Sequence, residues 1–339
     1  MRFDPARLSL IPAFLLLVLL VVVAMCHTAG VATPMPPVEG LPAIEELPIA
    51  PLGMLINRFG VAHPTWAHAL GALMIILSAM SLGRLTARYK LYGSGTMLAI
   101  PLYALSMLGV VICDGWFQAL VASTLATLAI KNFCYANRSG FCFDNIFRGG
   151  MYLSLLILVE PKALPLLMAY PIAVWQFRRT TRESLVALSG LLLPVATLCY
   201  LNWALGGTFT APATALYRLA LAGEWTSTLI SASLVEQLFV ATLLVLSLFA
   251  FSLFHINSYT LSTRSRHTLL YASKLIPFAA ATLLMPHINM AHLALLIVPT
   301  TLLLPVLFIR TRRPIANTLL AVVVVAAFAA LFFSCYNPF

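Results

Sequence analysis

Residues 291–313 read AHLALLIVPTTLLLPVLFIRTRR, an uncharged apolar run that stops on Arg310, Arg312 and Arg313. A run of roughly 18 to 22 apolar residues is what a helix needs to cross about 30 Å of hydrocarbon. Basic residues clustered at one end hold that end in the cytoplasm. The pattern recurs near 8–26, 64–83, 95–113, 116–134, 149–160, 163–177, 185–203, 232–254, 268–285, 291–309 and 316–334. These runs do not alternate over about ten residues as the strands of an outer-membrane barrel do. The fold class they predict is all-α, a polytopic transmembrane helical bundle of about eleven spans forming a single domain over 1–339.

Composition supports a chain whose main solvent is lipid. It is 61% hydrophobic and 9% charged, where an ordinary soluble globule carries roughly a quarter charged residues. A formal charge of +10 would suggest nucleic acid in a soluble protein. Here the basic residues sit singly or in threes between apolar runs, so they act as topology signals and no nucleic-acid partner is expected. The cysteines Cys26, Cys113, Cys134, Cys142, Cys199 and Cys335 are scattered without a CxxC, which suits packing. Cys134 and Cys142 flank a loop placed in the cytoplasm, where a disulfide is not expected. The first run is long for a signal peptide and is read as a retained signal-anchor span.

Lys and Arg counted by loop choose one orientation. With the N-terminus inside, the cytoplasmic side holds Arg2, Arg7, Arg84, Arg88, Lys90, Arg138, Arg148, Arg178, Arg179, Arg182, Arg264, Arg266, Arg310, Arg312 and Arg313; the outside holds Arg58, Lys162 and Arg218. Glu39, Glu45, Glu46, Asp114, Glu160 and Glu224 fall outside, with His27, His63, His68, His287 and His292. The chemistry-bearing side chains therefore gather on the non-cytoplasmic face. Two outer loops are long. Residues 27–63 open Pro/Gly-rich and continue into an interfacial helix over 51–59, and residues 204–231 carry another over 213–222.

Within these loops Glu45-Glu46 is an adjacent carboxylate pair able to hold a divalent cation or supply a general base; two solvated loop charges are the plain alternative. Asp114 precedes Gly115-Trp116 in a short turn, where turn chemistry competes with function. Glu160-Pro161-Lys162 joins two short apolar segments, so its charges sit at a depth where they are paired or functional; a local ion pair is the alternative. His287 and His292 are five residues apart, neither one helical face nor a zinc signature, so contact with a polar head group or helix capping fits them better. Lys131 and Lys274 are intramembrane cations, the first near a cytoplasmic end and the second about two turns in from the cytoplasm, and Glu236 lies about one turn into its span from the outside, where it could join an outer site. Walker, GxGxxG, GxSxG and HExxH motifs are absent.

Several stretches resemble the GT-C class of glycosyltransferases that use polyprenyl-phosphate-linked sugars. They are Pro51-Leu52-Gly53-Met54-Leu55-Ile56 leading to a span that ends Gly83-Arg84-Leu85-Thr86-Ala87-Arg88-Tyr89, the hairpin around Glu160-Pro161-Lys162, and Leu193-Pro194 through Asn202 to Gly206-Gly207-Thr208-Phe209. The chain also resembles a family of polytopic bacterial envelope proteins of Bacteroidetes type, without an established activity, in which an Arg-rich loop, Arg-Glu, Gly and Pro recur. Here these read Arg178-Arg179-Thr180-Thr181-Arg182-Glu183, Gly190 and Pro194.

The GT-C resemblance implies a catalytic carboxylate in the first outer loop, mapping onto Glu45 or Glu46 with Asp114 as a second acid. Arg58, Glu160, Lys162, Arg218, His287 and His292 would then contact a lipid-linked sugar and its phosphate. The chain departs from the class in having Glu-Glu where an Asp motif sits nearer span one, and in lacking a C-terminal soluble domain. Three readings follow: a transferase acting on a polyprenyl-phosphate-linked sugar in the bacterial inner membrane, a non-enzymatic component of envelope assembly, and a transporter. Membrane lipid is the expected partner. No cofactor signature is present, and a divalent cation is the one class the paired carboxylates would hold.

Overall fold

The computed structural model describes residues 8–29, 52–93, 95–111, 113, 115–135, 142–221, 233–285 and 290–333. Among these the chain forms thirteen α-helices and no strand. In order they are α1 (Leu10–Ala29), α2 (Leu52–Ala62), α3 (Pro64–Arg88), α4 (Ala99–Met107), α5 (Trp116–Tyr135), α6 (Phe143–Val159), α7 (Ala169–Gln176), α8 (Thr181–Ala204), α9 (Ala211–Leu221), α10 (Leu234–Ile256), α11 (Thr263–Thr282), α12 (Leu293–Arg310) and α13 (Arg313–Phe333). A 3-10 segment, Pro161–Met168, leads into α7. The helices expected over 51–59 and 213–222 are present as α2 and α9.

Seven segments are long and apolar enough to cross a membrane: α1, α3, α5, α8, α10, Met290–Arg310 and α13. The protein is accordingly an integral membrane protein. The remaining apolar windows of the sequence are also helical but shorter or more polar. Past Met107, α4 tightens into i→i+3 bonds, Leu108 N to Leu105 O and Val110 N to Met107 O. α6 has 17 residues, about 25 Å at helical rise. α11 carries Arg264, Arg266 and Lys274, which lower its mean hydropathy.

Contacts across helices define two ends of the bundle. At one end Arg88 lies over the Tyr135 ring, Arg264 over the Tyr89 ring, Arg179 donates to the Phe133 carbonyl and Arg310 to Thr260 Oγ1. This is the basic end. At the opposite end Phe59 meets Phe117, His68 meets Trp116 and Glu160 meets His292. Since α3, α5, α10 and α12 all finish at the basic end, the chain between them must return. It does so through α4, through α6, the 3-10 segment with α7 and then α8, and through α11.

The centre of the bundle is α12. Of the best apolar window in Met290–Arg310, 89% is buried inside the protein, against 17% for α8. Helices α4, α5, α10, α11 and α13 surround it. Pro305 cannot donate to the Thr301 carbonyl, and beside that break the Tyr92 hydroxyl donates to Leu302 O at 2.8 Å. The outward faces of α1, α8 and α13 carry large exposed apolar side chains such as Ile11, Leu185 and Val325, as lipid contact requires. Peripheral α8 is held to α6 at close range. A Cβ on Gly150 would overlap the Ala187 carbonyl oxygen, and one on Gly190 the Phe147 carbonyl oxygen, which is the small-residue contact that lets helix backbones approach in a membrane.

Candidate functional site

The opposite end of the bundle carries a buried polar cluster built from four elements. Glu160 follows the last turn of α6, its backbone N–H bonded to Leu156 O at 2.8 Å, and its extended conformation turns the chain into the 3-10 segment. Its side chain caps that segment by accepting from the Lys162 N–H at 3.4 Å. His292 stands at the entry to α12, where its Nε2 lies 2.9 Å from Glu160 Oε2. Gln118, in the first turn of α5, donates through Nε2 to Glu160 Oε2 and to the Val159 carbonyl, each at 2.8 Å. Glu160 is 5% and His292 9% exposed, so a carboxylate and an imidazole are held out of water against each other.

Helix α2 covers this cluster. Gly53 lies so close that an added Cβ would overlap the Val159 carbonyl oxygen and crowd Gln118 Nε2. Gly60, two turns on, faces Phe117 of α5. Residues four and seven apart share a helix face, so Asn57 lies on the same inner face, between the two glycines. Its Oδ1 is buried without a hydrogen-bond donor. An acceptor on that face thus has no donor among the described residues.

The structure brings together three of the residues expected from the sequence, Glu160, Lys162 and His292. Lys162 is half-buried beside the carboxylate. Arg58 is exposed on α2 and Arg218 on α9, and α9 packs on the 3-10 segment that carries Lys162. Glu45, Glu46, Asp114 and His287 lie outside the described residues. Glu236 has a local duty: it is the N3 residue of a capping box with Ser233, whose N–H it accepts at 3.0 Å while its own N–H bonds Ser233 Oγ at 3.3 Å. Lys131 reaches Ser81 Oγ at 3.5 Å. Among the described residues no three His, Cys, Asp or Glu side chains come together as a metal site would require. Cys134 and Cys142 are free thiols.

At the basic end, Arg179 forms a 3.5 Å ion pair with Glu183. Partial burial draws its guanidinium below the ordinary arginine range, and the Glu183 carboxylate opposes that pull. The sequence reading missed two members of the outer cluster. Gln118 was detectable as an amide in an apolar window, and Asn57 as an amide spaced between glycines.

The chain matches no family model, no curated protein and no solved structure.

Proposed function

We propose that the protein spans the membrane eleven times, with the basic end in the cytoplasm, and works on a polyprenyl-phosphate-linked sugar at the opposite end as a GT-C-like transferase of the bacterial inner membrane. The observation that carries this reading is the buried Glu160–His292 pair beneath α2. On this reading Nε2, which faces a carboxylate oxygen at 2.9 Å, carries the hydrogen, and Nδ1 is the base. In the transfer, His292 Nδ1 takes the proton of the acceptor hydroxyl as its oxygen bonds the sugar anomeric carbon. The bond from that carbon to phosphate oxygen breaks, and the lipid phosphate departs with the electron pair. Lys162, with Arg58 and Arg218, supplies the positive charge that holds the phosphate. Glu45, Glu46 and Asp114 are the further acids this reading assigns, with a divalent cation as their candidate ligand.

A second reading has its own support. Glu160 already accepts from Gln118 and the Lys162 backbone and lies 2.9 Å from His292 Nε2, as in a purely structural tie, which fits a non-enzymatic component of envelope assembly. Lipid-linked glycans and surface polysaccharide in cells carrying Glu160→Gln or His292→Asn separate the two, with the level of membrane-inserted protein followed by immunoblot. Lost glycan at an unchanged protein level supports the transferase. Unchanged glycan at an unchanged level removes it.

A further inference from the structure

The basic end holds a second built cluster, in which an ammonium group has neutral partners among the described residues. Lys274, three turns into α11, donates from Nζ to Gln176 Oε1 at 2.6 Å and lies 3.9 Å over the Trp175 ring. Gln176 is 7% exposed, at the end of α7, and its Nε2 lies 2.9 Å from His267 Nδ1. The ammonium decides which way the amide faces, since only Oε1 can accept from it. Nε2 therefore donates to Nδ1, and the His267 proton must sit on Nε2 as an outward donor. Of the three ammonium donors of Lys274, one is used on Gln176.

The surroundings favour a negative ligand. Arg178 and Arg266, both exposed, stand two residues after Gln176 and one before His267. The carboxylates described at this end are Asp144, on the first turn of α6, and Glu183, which Arg179 and its own capping box engage. Trp175 is 71% exposed on the outer surface of a membrane protein, where an indole marks the headgroup level. The Lys274 side chain leans toward the start of α11, as helical Cβ geometry dictates, so its charge reaches that level from a deeper backbone. A charge set so near hydrocarbon is costly unless something anionic meets it.

We infer that Lys274, His267, Arg178 and Arg266, set by Gln176 and Trp175, form a site for the phosphate of an anionic glycerophospholipid in the leaflet at the basic end. Basic pockets between membrane helices recognise such headgroups, at roughly a fivefold gain in affinity for each cation. The inference does not depend on the activity proposed for the other end.

The test uses the full-length protein in neutral detergent micelles, with thermal unfolding followed against added phosphatidylglycerol, phosphatidylcholine or inorganic phosphate. Phosphatidylglycerol is expected to raise Tm saturably and phosphatidylcholine to leave it unchanged. Lys274→Gln should weaken the apparent affinity for phosphatidylglycerol about fivefold, while Arg312→Gln, an equal loss of charge elsewhere on the basic end, should leave it intact. Gln176→Glu supplies a carboxylate for Lys274 and should abolish the lipid effect in a stably folded protein. Equal losses in Lys274→Gln and Arg312→Gln would overturn the site in favour of diffuse attraction. A full shift with inorganic phosphate alone would overturn the lipid assignment, and so would a full lipid response in Gln176→Glu.

Discussion

Glu160 and His292 illustrate how a buried pair acts on stability. Attraction between them is offset by the cost of removing both from water, so the pair as a whole adds little. Losing one partner is different. His292→Leu leaves the buried carboxylate without its imidazole partner and should cost about 1–3 kcal/mol, while the Glu160→Leu, His292→Leu double variant should lose clearly less than the sum of its singles. Denaturant unfolding in micelles measures all three, and additive losses would mean that the pair is not coupled. The sequence marked both residues but could not join them, because they sit on separate helices far apart in the chain and no periodicity links such positions. Gln118 completes the cluster, and its mark in the sequence is an amide in an apolar window. Glu236 was misread for the opposite reason: its role is local, and Ser233-x-x-Glu236 spells a capping box that a search for buried charge passes over.

At the scale of elements, two close approaches make different predictions. Gly150→Ala places a methyl against the Ala187 carbonyl of α8. Backbone cannot rotate away as a side chain would, so α6 and α8 must separate. A loss of about 1–3 kcal/mol is expected, seen as a lower Tm in detergent. Gly53→Leu acts on α2, a helix that covers the bundle without forming its core. It should lift α2 while the unfolding transition stays within a few degrees of wild type. The readout is labelling of Ile56→Cys by a polar maleimide, which should become faster in the Gly53→Leu background; unchanged labelling would show that α2 is not seated through that glycine. The helices themselves were legible, since every apolar window in the sequence is helical and both short amphipathic stretches form α2 and α9. What hydropathy could not give was the partner of each helix. Leu and Val serve equally against lipid and against another helix, so α8 and α12 look alike in sequence and occupy opposite environments.

For the whole molecule, the contacts that place the ends of α3, α5, α10 and α12 together require an odd number of passages between each pair, a parity that the proposed eleven crossings satisfy. In that proposal the Lys/Arg distribution assigns the sides. In a cysteine-free background, Phe59→Cys and Tyr217→Cys should react with an impermeant maleimide in intact cells, and Ser262→Cys and Arg312→Cys only after permeabilisation. The reverse pattern would invert the orientation, and a mixed one would break the topology. The enclosure of α12 also bears on how the chain is made. A ribosome delivers α1 through α11 first, and these helices surround a place whose occupant has not yet been synthesised. Until residues 290–310 emerge, that gap can be filled only by lipid, and the Glu160 carboxylate waits without its imidazole. A nascent chain halted before Met290 would be inserted yet hollow, so this late-made helix is the keystone by which quality control could tell a filled bundle from an unfilled one.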